Sequence, residues 1–411
     1  MAVLPLFSGF GVELEYMLVD AETLNVRPIC DEVLKTIAGE IVSDVEFGGI
    51  AWSNELALHV IELKTNGPAA TLAGLPQQFT ENVGRINEVL GGMNARLLPT
   101  AMHPWMDPHQ ELKLWPHDYG PVYETFHRIF DCRGHGWANL QSVHLNLPFA
   151  NDEEFGRLHA AVRLILPLLP GLAASSPVMD GRVTGILDNR LEVYRTNSRR
   201  IRSVTGRVIP EQAFSEAEYD RLVFEPMFAE IAPFDPDGVL RHEFLNARGA
   251  IARFSRGAIE IRVLDVQECP QQDVAICAAI VGVLKQLVGE RWTPLHDQQG
   301  VSIDPLERLL VSTIRDAEAT VVSDAELLRH FGGTELCGGT VGDLWRKLIA
   351  EVREADADFN REWGDAVESL LDRGPLSRVM LRRLGTDPDR EQLRTTYGAL
   401  SACLAEGRRF E

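Results

Sequence analysis

Cysteine is scarce in this chain, and its few cysteines show no metal-binding or disulfide pattern. There are 6 cysteines among 411 residues, and none stands in a CxxC pair. Such thin, irregular spacing does not suit a disulfide-stapled fold or a zinc site. We therefore expect reduced, buried thiols and a cytoplasmic protein.

Basic charge is also in short supply. Lysine and arginine total 40 against 60 aspartates and glutamates, which gives a formal net charge of −20. Because a phosphate backbone would on average be repelled by such a chain, this balance argues against a nucleic-acid partner.

No apolar run is long enough to cross a membrane as a helix. The longest, Val274 to Leu284, falls far short of the roughly 20 residues that a spanning helix needs. The N-terminal segment MAVLPLFSGF lacks the basic start and the cleavage site of a secretory signal. The sequence therefore predicts no membrane partner, in keeping with a cytoplasmic location.

The common nucleotide-binding and hydrolytic motifs are missing too. The chain contains no GxxxxGK(S/T) loop, no GxGxxG fingerprint, no HExxH helix and no GxSxG turn. Any phosphate chemistry would therefore have to rest on metal ions and arginines.

Four short strand-like segments carry acids, one histidine and one arginine. They are GVELE at 11–15, the stretch from Glu55 to Glu62, VHLN at 143–146 and IEIR at 259–262. In the first, third and fourth segments, polar residues alternate with apolar ones. Since successive strand side chains point to opposite faces, the polar residues share one face. A sheet with an apolar face and a face of carboxylates, imidazole and guanidinium predicts a site for Mg²⁺ and a nucleotide.

Glu13 and Glu15 form one carboxylate pair on such a face. They would lie about 7 Å apart along the strand and would repel each other unless a cation lay between them. Hard oxygen ligands of this kind suit Mg²⁺ or Mn²⁺. A solvated edge strand is the structural alternative, and this pair alone leaves it open.

Glu55 and Glu62 are separated by an odd number of positions. On an unbroken strand they would face opposite ways. Both can serve one site only if the strand breaks or bulges near 57–59.

The other two segments also have structural alternatives. His144 could be a half-buried structural histidine, and Glu260 with Arg262 could be an ordinary ion pair. Asn146 on the same face as His144 favours a ligand or phosphate contact. An arginine beside metal-bound acids is what stabilising a transferring phosphoryl group requires.

The order of the expected elements indicates one α+β domain over 1–411. Strands and turns fill the first 70 residues, and 180–207 reads as loop with short helical turns. Helices are expected at 71–98, 158–174, 212–229, 272–291, 305–320, 323–331, 341–358, 361–373 and 388–406. No repeat or linker separates a core of about 8–290 from a helical C-terminal portion of about 300–411.

Taken together, these segments resemble the glutamate–cysteine ligase superfamily. The resemblance is carried by GVELE, the two glutamates at 55 and 62, the strand histidine, SSPVMDGRVTGILDNR and GAIEIRVLD. It is strongest with the type 2, carboxylate–amine ligase branch and covers roughly 8–290. It implies a glutamine-synthetase-like fold with a curved, largely antiparallel sheet and helices packed on one face. The concave face would hold ATP, two or three Mg²⁺ or Mn²⁺ ions and an amino-acid carboxylate.

The resemblance also implies residue roles, position by position. Arg262 matches a catalytic, phosphate-contacting arginine, and Arg190 matches a catalytic arginine near the acyl phosphate or the substrate carboxylate. Asn146 and Arg256 are expected to add nucleotide or substrate contacts. The implied metal ligands are Glu13, Glu15, Glu55, Glu62, His144 and Glu260.

Some positions depart from the pattern of the family. The chain has AMHP at 101–104, SVHL at 142–145 and LDN at 187–189, where relatives often carry other residues. We expect these departures to flank the substrate pockets, so that the acid or the amine need not be glutamate or cysteine. Apolar Met102 is expected to favour an uncharged or bulkier substrate group.

The function implied is ATP-dependent amide-bond formation between a small carboxylic acid, glutamate in the first instance, and an amine. Two alternatives stay open: a regulatory protein that binds ATP and metal without turnover, and a metal-dependent phosphate-ester hydrolase. A homo-oligomer is a further expectation.

Overall fold

The computed structural model describes residues 3–411, which form ten strands and nineteen α-helices. The strands are β1 (Gly11–Asp20), β2 (Asp44–Phe47), β3 (Ile50–Asn54), β4 (Val60–Thr65), β5 (Ala95–Leu98), β6 (Ser142–Pro148), β7 (Val178–Met179), β8 (Arg182–Val183), β9 (Ala250–Arg253) and β10 (Ala258–Asp265). The helices are α1 (Cys30–Ala38), α2 (Leu75–Gly91), α3 (Pro108–Glu111), α4 (Gly120–Phe130), α5 (His135–Ala138), α6 (Asp152–Ile165), α7 (Pro170–Ala173), α8 (Asn189–Tyr194), α9 (Arg202–Thr205), α10 (Glu216–Tyr219), α11 (Glu225–Ile231), α12 (Pro270–Val288), α13 (Leu295–Gly300), α14 (Ile303–Asp316), α15 (Ala325–Arg329), α16 (Val341–Ala355), α17 (Ala357–Arg373), α18 (Leu376–Leu384) and α19 (Arg390–Glu406). Single turns of 3-10 helix cover Leu166–Leu168, Glu243–Leu245, Phe254–Arg256, Ala317–Ala319 and Thr334–Leu336, and a π-helical turn covers Asp220–Phe224.

Eight of the strands form one antiparallel sheet. Its order is β2-β3-β4-β1-β6-β10-β9, and β5 pairs with the last part of β1, while β7 and β8 form a separate hairpin. All ladders of the large sheet are antiparallel. The predicted α+β fold with a largely antiparallel sheet is therefore confirmed.

The two faces of β1 differ as its alternation predicts. Val12, Leu14 and Tyr16 have no solvent exposure and lie in the main core, whereas Glu13 and Glu15 point to the opposite face. Helix α12 packs near β1 and also contacts α2, α6, α16 and α17. The helices thus cover the apolar face, which leaves the carboxylate face free to form a site.

Helix α12 is the one described helix whose length and composition would suit a membrane span. However, 78% of its most apolar window is buried inside the protein. Its neighbours are the other core helices, so packing accounts for its apolar character.

Several predicted helices have different bounds in the structure. The helix expected at 71–98 ends at Gly91, and 95–98 forms β5. Pro167 and Pro170 divide the helix expected at 158–174 into α6, a 3-10 turn and α7, because proline interrupts helical hydrogen bonding. The helix expected at 212–229 runs from 216 to 231 and contains a π-helical turn at Asp220–Phe224 between α10 and α11.

Six helices lie outside the ranges that were predicted to be helical, namely α1, α3, α4, α5, α13 and α18. α1 starts without a side-chain cap at Ile29, so the usual signal for a helix start is missing. α18 follows Pro375, which stands at its N-cap. A proline is tolerated at a helix start, and reading it only as a breaker hides the helix behind it.

The cysteines follow the expectation with one exception. All 6 are free thiols, and five of them are buried, but Cys337 is exposed. The prediction of burial is wrong for Cys337, which lies just after the 3-10 turn at Thr334–Leu336.

Candidate active site

A cavity of about 1550 Å³ lies on the carboxylate face of the sheet. Its lining comes from the part of the chain between Val3 and Arg262, so the C-terminal helices contribute none of it. All ten predicted site residues line this cavity, namely Glu13, Glu15, Glu55, Glu62, His144, Asn146, Arg190, Arg256, Glu260 and Arg262. The structure thus brings together residues that are spread along the chain from Glu13 to Arg262. Their roles stay predictions.

Strand register explains why these side chains meet. Glu13 on β1 lies opposite His144 on β6, and Glu15 lies opposite Glu62 on β4. Glu260 on β10 lies opposite Asn146. Directly opposed residues on one face of an antiparallel pair have neighbouring side chains, so four strands supply one continuous polar surface.

Glu55 reaches this surface because the chain breaks where the odd spacing requires it. β3 ends at Asn54 and β4 begins at Val60, with a turn between them. The predicted break is confirmed. As a result, carboxylate oxygens of Glu15, Glu55 and Glu62 come within 4.8 Å of one another.

His144 links the carboxylates of β1. Its Nδ1 lies 2.8 Å from Glu13 Oε2, and its Nε2 lies 3.0 Å from Ser142 Oγ. The Ser142 backbone N–H and hydroxyl both donate to Glu15 Oε2, at 2.7 and 2.8 Å. Asn146 Nδ2 donates to Glu13 Oε1 at 3.0 Å. Glu13 and Glu15 are thus held in place from β6.

Glu62 is held by two residues that the sequence interpretation did not select. Ser53 Oγ donates to Glu62 Oε2 at 2.6 Å, and Lys64 Nζ donates to the same oxygen at 2.8 Å. The signal for Lys64 was present, because it stands two positions after Glu62 and so shares its strand face. Ser53 carried no such signal, because it becomes a neighbour only through the β3–β4 register.

Glu260 is enclosed by arginines. Its side chain is almost fully buried, Arg253 Nε donates to Oε2 at 2.6 Å, and Arg262 Nη2 donates to Oε1 at 2.6 Å. Arg253 is therefore a further site residue, which the sequence motifs did not single out. Both oxygens of Glu260 already accept hydrogen bonds, and its metal-ligand role stays a prediction.

The pKa values of Glu55, Glu62 and His144 are all raised above their ordinary values. Burial and the nearby Glu13 raise the pKa of Glu62 to about 7. Burial and the neighbours Glu62 and Glu15 hold the pKa of Glu55 well above its ordinary value. Burial alone would lower the pKa of His144, but its hydrogen bond to Glu13 and the surrounding carboxylates raise it to about 9.

The opposite shift occurs where cations are close. Burial would raise the pKa of Glu260, but Arg262 and Arg253 hold it far below its ordinary value. Burial would also raise the pKa of Glu13, and the hydrogen bond from His144 lowers it instead. Glu260 and Glu13 thus stay charged. Lys64 also lowers the pKa of Glu62, but not enough to offset burial and the charge of Glu13, and the pKa of Glu55 remains raised by burial and its two acidic neighbours.

A divalent ion would supply the positive charge that these carboxylates lack. Two groups of side chains place one ligand atom each within 4.8 Å of the others: Glu13, Glu62 and His144 in one, and Glu15, Glu55 and Glu62 in the other. Carboxylate oxygens with at most one imidazole suit Mg²⁺ or Mn²⁺. The donor set therefore fits the predicted metal.

Arg190 lies at the cavity but is engaged by the protein. Its Nη2 donates to the carbonyl oxygens of Arg262 and Leu264, at 2.8 Å each. Its Nε lies 3.0 Å from Asp265 Oδ1, and the residue is only 1% exposed. These contacts support the end of β10. A direct contact of Arg190 with substrate stays a prediction.

Arg256 and Arg262 differ in how they are presented. Arg256 lies on the exposed 3-10 turn before β10. Arg262 lies in a β-bulge, where Arg262 and Val263 together stand opposite His144. From this bulge the Arg262 guanidinium donates hydrogen bonds to Glu260 Oε1.

Two of the three segments that depart from the family pattern do not line the cavity, although they were expected to flank the substrate pockets. Ala101 and Met102 have no solvent exposure, and Asp188 and Asn189 are also buried. Of the three segments that depart, 142–145 lines the cavity through Ser142 and His144, whereas no residue of 101–104 or 187–189, which the structure describes in full, belongs to the lining. The expectation that Met102 helps to select the substrate is therefore wrong, because it is a core residue.

The cavity also has an apolar wall. Helix α4 contributes Val122, Tyr123 and Phe126 to the lining. Trp137 on α5, Leu140 just after it and Phe244 on the 3-10 turn at Glu243–Leu245 complete this wall. Asn54 Nδ2 donates to Tyr123 Oη at 3.2 Å, which connects this wall to the strand end before Glu55. The site therefore combines a charged floor with an apolar side.

Comparison with known proteins relates this chain to one family of ligases. The model of one family, Glutamate-cysteine ligase family 2 (GCS2), matches residues 9–397. An uncharacterized protein of Archaeoglobus fulgidus is 31% identical over 394 residues, covering 96% of this chain and 98% of that protein. A protein of Corynebacterium glutamicum, provisionally named glutamate–cysteine ligase 2, is 25% identical over 347 residues, covering 83% of this chain and 81% of that protein.

Among solved structures, a glutamate–cysteine ligase from Francisella tularensis in complex with AMP is similar to this chain at 13% identity. The TM-score is 0.48, with 97% of this chain and 91% of that chain covered.

Proposed function

Because the chain belongs to glutamate–cysteine ligase family 2, we propose that it is an ATP-dependent carboxylate–amine ligase. The observation that carries this proposal is the meeting of all six predicted metal ligands with Arg253 and Arg262 in one cavity. Acids that bind metal beside fixed arginines are what phosphoryl transfer needs.

The proposed reaction has two steps. An oxygen of the acid, the side-chain carboxylate of glutamate in our proposal, attacks the γ-phosphorus of ATP, and the bond to the β–γ bridging oxygen breaks to release ADP. The nitrogen of an amine then attacks the acyl-phosphate carbon, forming the amide and releasing inorganic phosphate. The amine loses a proton in this step.

Residues of the chain would divide the work as follows. Glu13, Glu15, Glu55, Glu62 and His144 would hold the divalent ions, with Glu260 in support. Bound Mg²⁺ or Mn²⁺ would supply neutralising charge to the β- and γ-phosphates.

Arg262 would meet the transferring phosphoryl group. Its side chain is 18% exposed and is fixed through Glu260, so little reorganisation is needed when negative charge develops. Arg256, on its exposed turn, would attract the phosphates, and Asn146 would contact phosphate or substrate while it orients Glu13.

A screen for ADP release tests the proposal. Mg²⁺ and ATP are supplied with a panel of acids, each with and without a panel of amines, including glutamate with cysteine. A ligase releases ADP only when an acid is present and forms amide only when an amine is present. Phosphate release that needs no acid would indicate hydrolysis, and ATP binding without any turnover would indicate a regulatory protein.

A matched pair of variants connects the result to the site. Glu62→Gln removes one charge from the carboxylate cluster and should abolish turnover. Asp44→Asn removes one charge from an exposed residue at the edge of the same cavity and should leave turnover close to that of the unaltered protein. Equal activity in both variants would contradict the proposed site.

A further inference from the structure

Lys64 brings a positive charge into the group of acids that is proposed to bind metal. Its Nζ lies 2.8 Å from Glu62 Oε2 and 2.7 Å from Ser53 Oγ. It stands directly opposite Glu13 in the β1–β4 ladder and opposite Ala51 in the β3–β4 ladder. The ammonium group therefore lies between two of the strands that form the site.

The environment of this ion pair is asymmetric. The Glu62 side chain is 6% exposed, whereas the Lys64 side chain is 36% exposed. Lys64 has a flexible stem that can withdraw toward the cavity, while Glu62 is fixed on its strand by Ser53. If the pair breaks, the lysine is the partner that can move.

Glu62 belongs to both groups of side chains that could hold a metal ion. An ion that takes Glu62 Oε2 must compete with the hydrogen bond from Lys64, and an ion that takes the other oxygen is still repelled by the nearby ammonium charge. Ser53 does not compete in the same way, because a neutral hydroxyl can stay bonded to a metal-bound carboxylate.

We propose that Lys64 is a counter-cation of the metal-binding carboxylates. Its ammonium group releases Glu62 when a divalent ion binds there. Its ammonium then lacks its carboxylate partner inside the cavity, and an arriving phosphate would provide a new one. Lys64 thereby weakens the binding of metal alone and favours the binding of metal together with nucleotide. The second half of this inference rests on the proposed function, since it assumes that a phosphate enters the cavity.

An ordinary structural ion pair makes a different prediction. If Lys64 only stabilises β4, replacing it should lower the melting temperature and leave metal affinity unchanged. If it competes with metal, replacing it should tighten metal binding in the absence of nucleotide. The two roles thus differ in a measurement that needs no catalytic activity.

The experiment measures Mn²⁺ binding to the full chain by electron paramagnetic resonance, without nucleotide. Lys64→Met keeps the length of the side chain and removes its charge. We expect its Kd for Mn²⁺ to fall about tenfold, the order expected for removing a competing charged hydrogen bond. Melting temperatures of all variants establish that they are folded.

Two controls assign the effect to the Glu62 contact. Arg256→Met removes a positive charge from the same cavity at an exposed turn and should change the Kd much less. In a Glu62→Gln background, Lys64→Met should change the Kd by less than about twofold, because the competing contact is already weakened.

The outcomes separate the two halves of the inference. An unchanged or weaker affinity in Lys64→Met, or the same gain in Arg256→Met or in the Glu62→Gln background, would overturn it. Mn²⁺ affinity is then measured with a non-hydrolysable ATP analogue. The analogue should tighten Mn²⁺ binding more in the unaltered protein than in Lys64→Met, and an equal effect would overturn the phosphate half alone. Failure of Mn²⁺ to bind any variant, with or without the analogue, would overturn the proposed function as well.

Discussion

At the scale of single residues, the acids of the site differ in how much neighbouring positive charge offsets their negative charge. Glu260 has two arginines, Glu13 has His144, and Glu62 has Lys64. Within residues 3–411, the Glu55 carboxylate accepts only a long hydrogen bond of 3.4 Å from the Leu56 backbone N–H. The pKa values follow this order, and metal binding should therefore be coupled to the release of protons.

The first prediction concerns pH. A carboxylate with a pKa of about 7 at Glu62 and an imidazole with a pKa of about 9 at His144 carry protons at pH 6 that a divalent ion must displace. Affinity for Mn²⁺ should therefore rise as pH increases from about 6 to about 8. Titration calorimetry in buffers of different ionisation enthalpy should show net proton release. Glu62→Gln should release fewer protons, and pH-independent binding would contradict this account.

The second prediction separates the two faces of β10. Arg262→Ala should reduce turnover by two orders of magnitude or more, about 3 kcal/mol at the transition state, while leaving the fold intact. Ile261→Ala, on the buried face of the same strand, should instead lower the free energy of unfolding by about 2–5 kcal/mol. Turnover and urea denaturation are measured for both. Near-normal turnover in Arg262→Ala would remove its phosphate role.

At the scale of elements, β10 is shaped by its bulge. Arg262 and Val263 share one partner position on β6, and Arg190 donates to the carbonyl oxygens on either side of Val263. The Arg190 charge also lies against Asp265. A helix residue thus fixes the irregular strand that carries Arg262.

The third prediction follows from these contacts. Arg190→Lys keeps the charge, but a single ammonium cannot reproduce the planar fork that reaches two carbonyls and a carboxylate. Loss of this buried network should lower the free energy of unfolding by about 3–5 kcal/mol. Arg256→Lys, on an exposed turn, is the matched control and should unfold like the unaltered protein. Equal stability of the two variants would show that Arg190 does not support β10.

The alternation of polar and apolar residues was the sequence feature that predicted the structure most directly. It predicted the faces of β1, β6 and β10, and the odd spacing of Glu55 and Glu62 predicted the break between β3 and β4. The resemblance to the family supplied the ligand set, and the match over 9–397 confirms that family. Lys64 was accessible by the same alternation and was overlooked.

Other features depend on tertiary structure that no local pattern records. Ser53 reaches Glu62 only through strand register, and the bulge at Arg262 arises from the pairing of β10 with β6. The residues that flank Met102 in the sequence do not indicate that it is buried. For this reason the prediction that Met102 selects the substrate was wrong.

At the scale of the whole molecule, the cavity and the C-terminal helices lie in different places but share a core. α16 and α17 pack against α12, and α19 packs against α2 and β5. One hydrophobic cluster runs from Phe10 to Leu404, and a second joins α18 and α19 to β1 and β5. We propose that the chain unfolds as a single cooperative unit, in agreement with the single domain expected from the sequence.

The fourth prediction tests this connection. Trp345 on α16 is fully buried, and its Nε1 donates to the Leu168 carbonyl at 2.9 Å. Trp345→Ala should lower the free energy of unfolding by about 3–5 kcal/mol while leaving the KM of the folded enzyme unchanged. Calorimetry should show one transition, shifted to lower temperature. A separate transition for the C-terminal helices would contradict the single unit.

The central claim, that this cavity activates a carboxylate with ATP, is tested most directly by isotope transfer. The acid identified by the ADP screen is prepared with ¹⁸O in its carboxylate and is incubated with Mg²⁺, ATP and the amine. The account predicts that each released phosphate carries one ¹⁸O from the acid, because the acyl-phosphate bridge breaks on the carbon side. Unlabelled phosphate, or label that comes from ¹⁸O water instead, would contradict it.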